Sequence, residues 1–245
     1  MSAVSNYITT NNLPAVVWLS ADSSNINIIG NTFTWTNSLG DVTKNFSQVN
    51  LSNHPSTSSN GISFNINSSL SCNSALLTNV NNYTIIALTK DYLTQSQLLI
   101  KLADSSSYTK YSLEQGKINQ EYKPYFTSDI VTNNTSTSNE VSELVIKRRI
   151  KYGDTFLQIK DTESTHRNFI NSWRFDSSSS IIGQGLLNNL YHFLCFSDVI
   201  DNIHISNLID LLIYSTPVLN PNPYWDLLLD VTWDNLTTPL WDNIL

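Results

Sequence analysis

Ionised side chains are scarce in this chain. Charged residues make up 13% of it, Lys+Arg 13 against Asp+Glu 20, for a formal net charge of −7. Binding a nucleic-acid backbone needs a basic stripe, and a chain of pI about 4.9 argues against that partner. The one basic cluster, Lys147-Arg148-Arg149 with Lys151, reads as the exposed face of a strand. Cysteine is nearly absent. Cys72 and Cys195 lack CxxC spacing and have apolar or small neighbours, which predicts two buried free thiols rather than a disulfide or a metal site. No apolar run approaches the ~20 residues of a membrane helix. The opening MSAVSNYITTNNLP has neither the basic nor the apolar region of a secretory signal. Glycine, at seven residues, is sparse for a chain rich in turns, so Asn and Asp are expected to supply turn positions of positive φ.

Catalytic patterns are missing too. There is no HExxH, no G-x-S-x-G and no Gly-rich phosphate loop. Glycan cleavage needs two carboxylates flanking one bond. The nearest acidic pairs are Glu140 with Glu143 and Asp161 with Glu163, and Lys160–Thr165 reads as a hairpin turn. His54, His166, His192 and His204 are isolated, so no metal ligand set is expected, and His192 and His204 fit hydrogen-bonded core positions. The expectation is a protein that is not an enzyme and holds neither cofactor nor metal.

What the chain does contain is Ser, Thr and Asn in quantity, with 40% hydrophobic residues spread along it. Those polar residues favour turns over helix interiors because they bond their own backbone. Ala15–Leu19 predicts a short strand with Trp18 in the core, and Asp22–Asn27 a turn. Ile26, Ile28, Phe33 and Trp35 show the period-two spacing of half-buried strands. Residues 43–60 read as loop. Ile62, Phe64 and Ile66 alternate with polar residues as one strand. Tyr83–Thr89 is apolar on both faces, as in a central strand covered on two sides. Gln97–Leu102, Tyr108–Leu113, Glu143–Tyr152 and Thr155–Lys160 are further strands, with Gly153-Asp154 as a hairpin signal. Leu208–Leu219 reads as the last strong strand and the partner of Ala15–Asp41. Turn signals about every ten residues and no convincing helical pattern predict an all-β antiparallel β-sandwich, a jelly roll.

The residues Trp18, Ser20-Ala21-Asp22-Ser23, Ile26–Ile28, Trp35 and Leu39-Gly40-Asp41 resemble the opening of concanavalin A-like, laminin-G-type jelly rolls. Gly61–Phe64, Tyr83–Leu88, Ile182-Gly183-Gln184 and Ile209–Leu219 are similar to later stretches of that family, with Gln184 where a second glycine is usual. The resemblance spans residues 14–220 and implies the fold. Some members hold calcium at the rim. Asp22 and Asp41 are the matching positions here, and a turn role is expected of both. Sugar binding on such folds stacks an aromatic face on the pyranose, and Tyr122, Tyr125 and Phe126 in EYKPYFTSD are the candidates, against a reading as sheet-edge packing.

Residues 1–13 read as an extended N-terminal arm and 221–245 as an extended C-terminal tail. The tail steps through Trp225-Asp226, Trp233-Asp234 and Trp241-Asp242, eight residues apart, which puts the indoles on one side of an extended chain. It is similar to tails of phage virion proteins. The main functional expectation is therefore a non-enzymatic virion surface protein, a capsid decoration or tail-fibre component. Trp225, Trp233 and Trp241 would dock other virion proteins or copies of the chain. The alternative is an adhesin recognising host-surface polysaccharide, with a glycan-cleaving enzyme behind both.

Overall fold

The computed structural model describes residues 2–58, 61–65, 67–77, 82–90, 98–103, 109–114, 117–122, 125–131, 141–149, 154–159, 162–167, 179–183 and 189–216. The chain opens with helix α1 (Ala3–Thr10) and strand β1 (Ala15–Ser20). Five short strands follow: β2 (Ile26–Ile29), β3 (Thr32–Trp35), β4 (Phe46–Gln48), β5 (Ser56–Ser58) and β6 (Gly61–Ser63). Next come β7 (Leu70–Cys72), β8 (Tyr83–Lys90), β9 (Leu98–Ala103), β10 (Thr109–Glu114), β11 (Lys117–Tyr122) and β12 (Tyr125–Val131). The described elements end with β13 (Val141–Arg149), β14 (Asp154–Ile159), β15 (Thr162–Arg167), β16 (Ser179–Ile182), β17 (Asn189–Phe196) and helix α2 (Asn202–Tyr214).

These strands form two antiparallel sheets. The eight-stranded sheet runs β15-β14-β13-β8-β17-β6-β5, with β1 also paired to β17. The nine-stranded sheet runs β12-β11-β10-β9-β16-β7-β4-β3-β2. Between them lies a core that includes Val17, Leu19, Phe33, Trp35, Phe46, Phe64, Tyr83, Ile85, Phe193 and Cys195. A second apolar layer covers the outer face of the eight-stranded sheet. There Trp18, Ile86, Leu88, Leu194 and Phe196 meet Val4 and Ile8 of α1 and Ile205, Leu208, Ile209 and Leu212 of α2. Strands β1, β8 and β17 are therefore buried on both faces, which is why Ile85–Leu88 is apolar on both.

Several sequence expectations need correction. Leu208–Leu219 is not the closing strand: residues 202–214 form α2. Ile205, Leu208, Ile209 and Leu212 recur at helical spacing, and the Asp201 carboxylate accepts the His204 N–H at 3.0 Å as an N-cap. The strand that pairs with β1 is β17, in register Trp18↔Leu194 and Ser20↔His192. Residues 3–10 are not an extended arm but a helix capped by the Ser2 hydroxyl, with Val4 and Ile8 buried. Within 43–60, read as loop, Phe46 is fully buried and β4 and β5 take their places in the sheets. Ile28, read as half-buried, is 56% exposed because β2 is an edge strand. Of the strand read through Ile66, β6 covers only Gly61–Ser63, and Ile66 lies outside the described residues.

The turn chemistry also differs from expectation. Among the described non-glycine residues only Asn12 has a positive φ. Asn and Asp act instead through their side chains. Asp22, Asn37, Asp41, Asn50 and Asn65 each accept the backbone N–H two residues on. Such Asx turns close the chain with an ordinary negative φ, so glycine is not needed. The left-handed positions fall to Gly30 and three other glycines.

Candidate functional site

The residues that match the family's opening build a frame. The side chain of Asn37, 2% exposed, is its hub. Its Oδ1 accepts from the Trp18 N–H at 3.0 Å and the Leu39 N–H at 3.2 Å, and its Nδ2 donates to the Asp41 carbonyl at 3.2 Å. Trp35 Nε1 donates to the Ser20 carbonyl at 2.7 Å, tying β3 to β1 across the sandwich. Asp41 accepts from the Thr43 hydroxyl at 2.6 Å and sits 3.4 Å from Lys44 Nζ. The Thr43 hydroxyl, chiefly, holds its carboxyl below the usual carboxylate range. Asp22 caps the short turn at Ser23–Asn25. Both aspartates are thus turn residues, as read from the sequence. Among the described residues no group of three or more His, Cys, Asp or Glu side chains is gathered.

Histidines and thiols are structural where their side chains are described. His54 Nε2 lies 2.9 Å from both the Asn31 and Gln48 carbonyls. His204 Nδ1 lies 2.8 Å from the Tyr7 hydroxyl, and Asn207 Nδ2 donates to that hydroxyl at 2.8 Å, joining α1 to α2. His192 is buried, its Nε2 2.6 Å from Thr216 Oγ1. Thr216 gives its one hydroxyl proton to the Leu212 carbonyl at 2.9 Å, so Nε2 must carry the proton and donate. Burial pushes the His192 pKa down to about 4. Cys72 and Cys195 are free and buried, and burial pushes the Cys195 thiol up to about 12. A thiol so placed is no nucleophile.

The aromatic candidates Tyr122, Tyr125 and Phe126 fall at one end of the nine-stranded sheet. Tyr122 ends β11 and Tyr125 opens β12, so EYKPYFTSD is the end of a hairpin rather than a loop. Tyr122 and Tyr125 are register partners, and Phe126 stands opposite Glu121. Among the described residues, strand β12 is an outer strand of the nine-stranded sheet and β15 an outer strand of the eight-stranded one. Their backbones approach within 8 Å. The fold therefore brings Tyr125 and Phe126 to the same margin as Thr162–Arg167. Glu163, read as a turn residue, is in β15 opposite Gln158. The strand begins at Thr162 because the β14–β15 reversal is tight, Ile159 pairing with Thr162. Asp161, Glu140, Trp225, Trp233 and Trp241 lie outside the described residues.

Cations concentrate in the stretch of sequence that holds these strands. Every lysine and arginine but Lys44 lies between Lys90 and Arg174, and every charged side chain from Asp176 onward is an aspartate. Lys101, Lys110 and Lys117 are in β9, β10 and β11, Lys147, Arg148 and Arg149 in β13, and Arg167 in β15. Arg167 of β15 is not marked out by the sequence, because nothing local says that β15 stands beside β12. That proximity is a long-range product of the sheet order.

No protein-family model matches the chain, and no curated protein matches it in sequence. Solved structures match it in fold. The Trypanosoma rangeli sialidase in complex with sialic acid superposes with a TM-score of 0.57 and 12% identity, over 81% of this chain and 33% of that one. The botulinum neurotoxin serotype D ligand binding domain in complex with N-acetylneuraminic acid gives 0.52 and 11%, over 84% and 53%. The serotype D/C VPI 5993 binding domain gives 0.50 and 11%, over 86% and 53%. The chain is thus an antiparallel two-sheet sandwich that resembles concanavalin A-like lectin domains. It spans a third of the sialidase and about half of the toxin domains, and at these identities the likeness is one of fold. Among the described residues no helix is long and apolar enough to cross a membrane.

Proposed function

We propose that this chain is a carbohydrate-binding module without catalytic activity, and that it takes a surface saccharide bearing carboxylates at the margin where β12 meets β15. The observation that carries the reading is the meeting of those two edges, one with the Tyr122–Tyr125 register pair and Phe126, the other with Arg167. Aromatic rings supply stacking area, and a guanidinium supplies a paired donor fork for a carboxylate. The charge distribution supports an acidic ligand. The stretch from Lys90 to Arg174 carries 12 Lys+Arg against 10 Asp+Glu, net +2, and the rest of the chain 1 against 10, net −9, so an anionic saccharide is repelled less here than elsewhere. The structural likeness to domains solved with sialic acid supports the same choice.

The test is a glycan array carrying sialylated, uronate-containing and neutral saccharides, probed with the labelled full chain. Binding to acidic glycans is expected, falling about tenfold or more for Tyr122→Ala with Tyr125→Ala, a loss of about 1.4 kcal/mol or more. Silence across the array overturns the reading.

The tryptophan–aspartate steps at 225, 233 and 241 favour a second, compatible role, in which the module is displayed on a particle such as a virion and anchored by that tail. Each indole buries about 150–250 Å² when docked. Incorporation into particles of the variant with all three tryptophans changed to alanine decides it: unchanged incorporation removes the anchoring role.

A further inference from the structure

Among the described residues, the other end of the nine-stranded sheet is an open edge. Strand β2 pairs with β3 in register Ile26↔Trp35 to Ile29↔Thr32, without a bulge. The Thr36 N–H donates to the Asn25 carbonyl at 2.7 Å, which makes 25/36, 27/34 and 29/32 the hydrogen-bonded pairs of this ladder. Ile26 and Ile28 therefore turn their backbone groups away from β3. The Ile26 N–H is taken by the Ser23 carbonyl. That leaves the Ile26 carbonyl and both polar groups of Ile28 on the outside.

The edge strand itself is apolar and open to water: Ile28 is 56% exposed and Ile29 71%. Val49, 68% exposed, continues β4 two strands in. Ile29 and Val49 flank Thr32 at the same end of the β2–β3–β4 ladder, since Ile29 pairs with Thr32 and Phe33 with Gln48. Proteins normally guard such an edge with lysine, proline or a bulge. Here there is none. No Asp, Glu, Lys or Arg occurs from Ser23 to Gly40, or from Asn45 to Thr89.

We infer that β2 is a pairing edge for a second copy of this chain, joining two nine-stranded sheets antiparallel about a twofold axis at Ile28. The copy is the occupant that fits on three counts. An antiparallel strand is complementary to itself under a twofold, so Ile28 exchanges both N–H···O=C bonds with the partner Ile28. The same register sets the Ile26 carbonyl opposite the N–H of the partner Gly30. Two chains of net charge −7 repel except where both are uncharged, and this corner is such a place. Ile28 and Ile29 are the exposed apolar side chains on the pairing strand itself. With the strand backbone they bury less than the roughly 1,200 Å² of stable specific interfaces, so the dimer is a weak one. Strand β12 lies at the opposite end of the sheet order, so pairing through β2 leaves it uncovered in both copies.

The test is sedimentation velocity on the full chain between about 1 and 200 μM, a range that brackets a micromolar Kd. A monomer–dimer equilibrium is expected. Ile28→Pro removes an N–H that the monomer does not use, and proline is accepted on an edge strand at such a position. It should raise Kd at least tenfold. Ile28→Lys, at a site more than half exposed, should do the same and serves if the proline variant does not fold. In a hydrogen-bonded antiparallel pair the Cα atoms stand about 5.5 Å apart, within disulfide reach, so Ile28→Cys should oxidise to a covalent dimer. Val42→Cys, 70% exposed near the far end of β4, should not. A monomer at every concentration, or a dimer that neither Ile28 variant weakens, overturns the inference.

Discussion

His192 should make this protein acid-labile in a way that one substitution removes. Its ring is 2% exposed, under α2 and against Thr216, and its Nδ1 has no partner among the described residues. Protonation would place a cation in that apolar layer, so burial lowers the pKa from 6.5 to about 4. The sign follows from linkage. Between those values the unfolded chain binds a proton that the native chain refuses, so stability falls as the pH drops through 6.5 and stops falling near 4. The full contribution is about 3 kcal/mol, and the part lost between pH 7 and pH 5 is about 2 kcal/mol. A domain of ordinary stability, roughly 5–15 kcal/mol, feels that loss plainly. The assay is urea denaturation of the wild type and of His192→Gln at half-unit steps from pH 7 to pH 4.5. Glutamine does not titrate, so the variant should show a flatter profile, the two curves converging by about 2 kcal/mol at pH 5 whatever the offset at pH 7. Parallel profiles would refute the reasoning, as would a His192 imidazole resonance, assigned by its loss in His192→Gln, that titrates above pH 6.

Other perturbations test the frame. Asn37→Ala strands the buried Trp18 N–H and cuts the tie to the Asp41 carbonyl, and should cost about 2–4 kcal/mol in chemical denaturation. Gly183→Ala drives a Cβ into clash with Phe64 Cδ1 and Cε1 at a φ of +80°, so a melting temperature lowered by many degrees, or failure to fold, is expected. Asp201→Ala removes the cap of α2 and should cost about 0.5–2 kcal/mol, with Asp201→Ser recovering most of it. Cys195 should resist a thiol reagent in the native state and react only on unfolding, read by mass after labelling with and without denaturant.

The sequence by itself determined the sandwich. Alternation marks β3 and β6, and the unbroken apolar run of Tyr83–Thr89 marks a strand with both faces covered, because a side chain's destination is set by the period of the backbone. It also determined the core roles of Trp18 and Trp35 and the turn roles of Asp22 and Asp41, since the Asx motif is local. The helix at 202–214 was legible in principle, through Asp201 and the spacing of Ile205, Leu208, Ile209 and Leu212. Its apolar composition suits a strand equally well, and only the outer face of the eight-stranded sheet, waiting to be covered, decided for helix. The tertiary structure alone decided that β12 and β15 meet, that β2 is left at an edge with Ile28 and Ile29 in water, and that β17 rather than 208–219 closes on β1. Strand order is set by pairings between residues far apart in sequence, and no local pattern encodes which edge a strand will find.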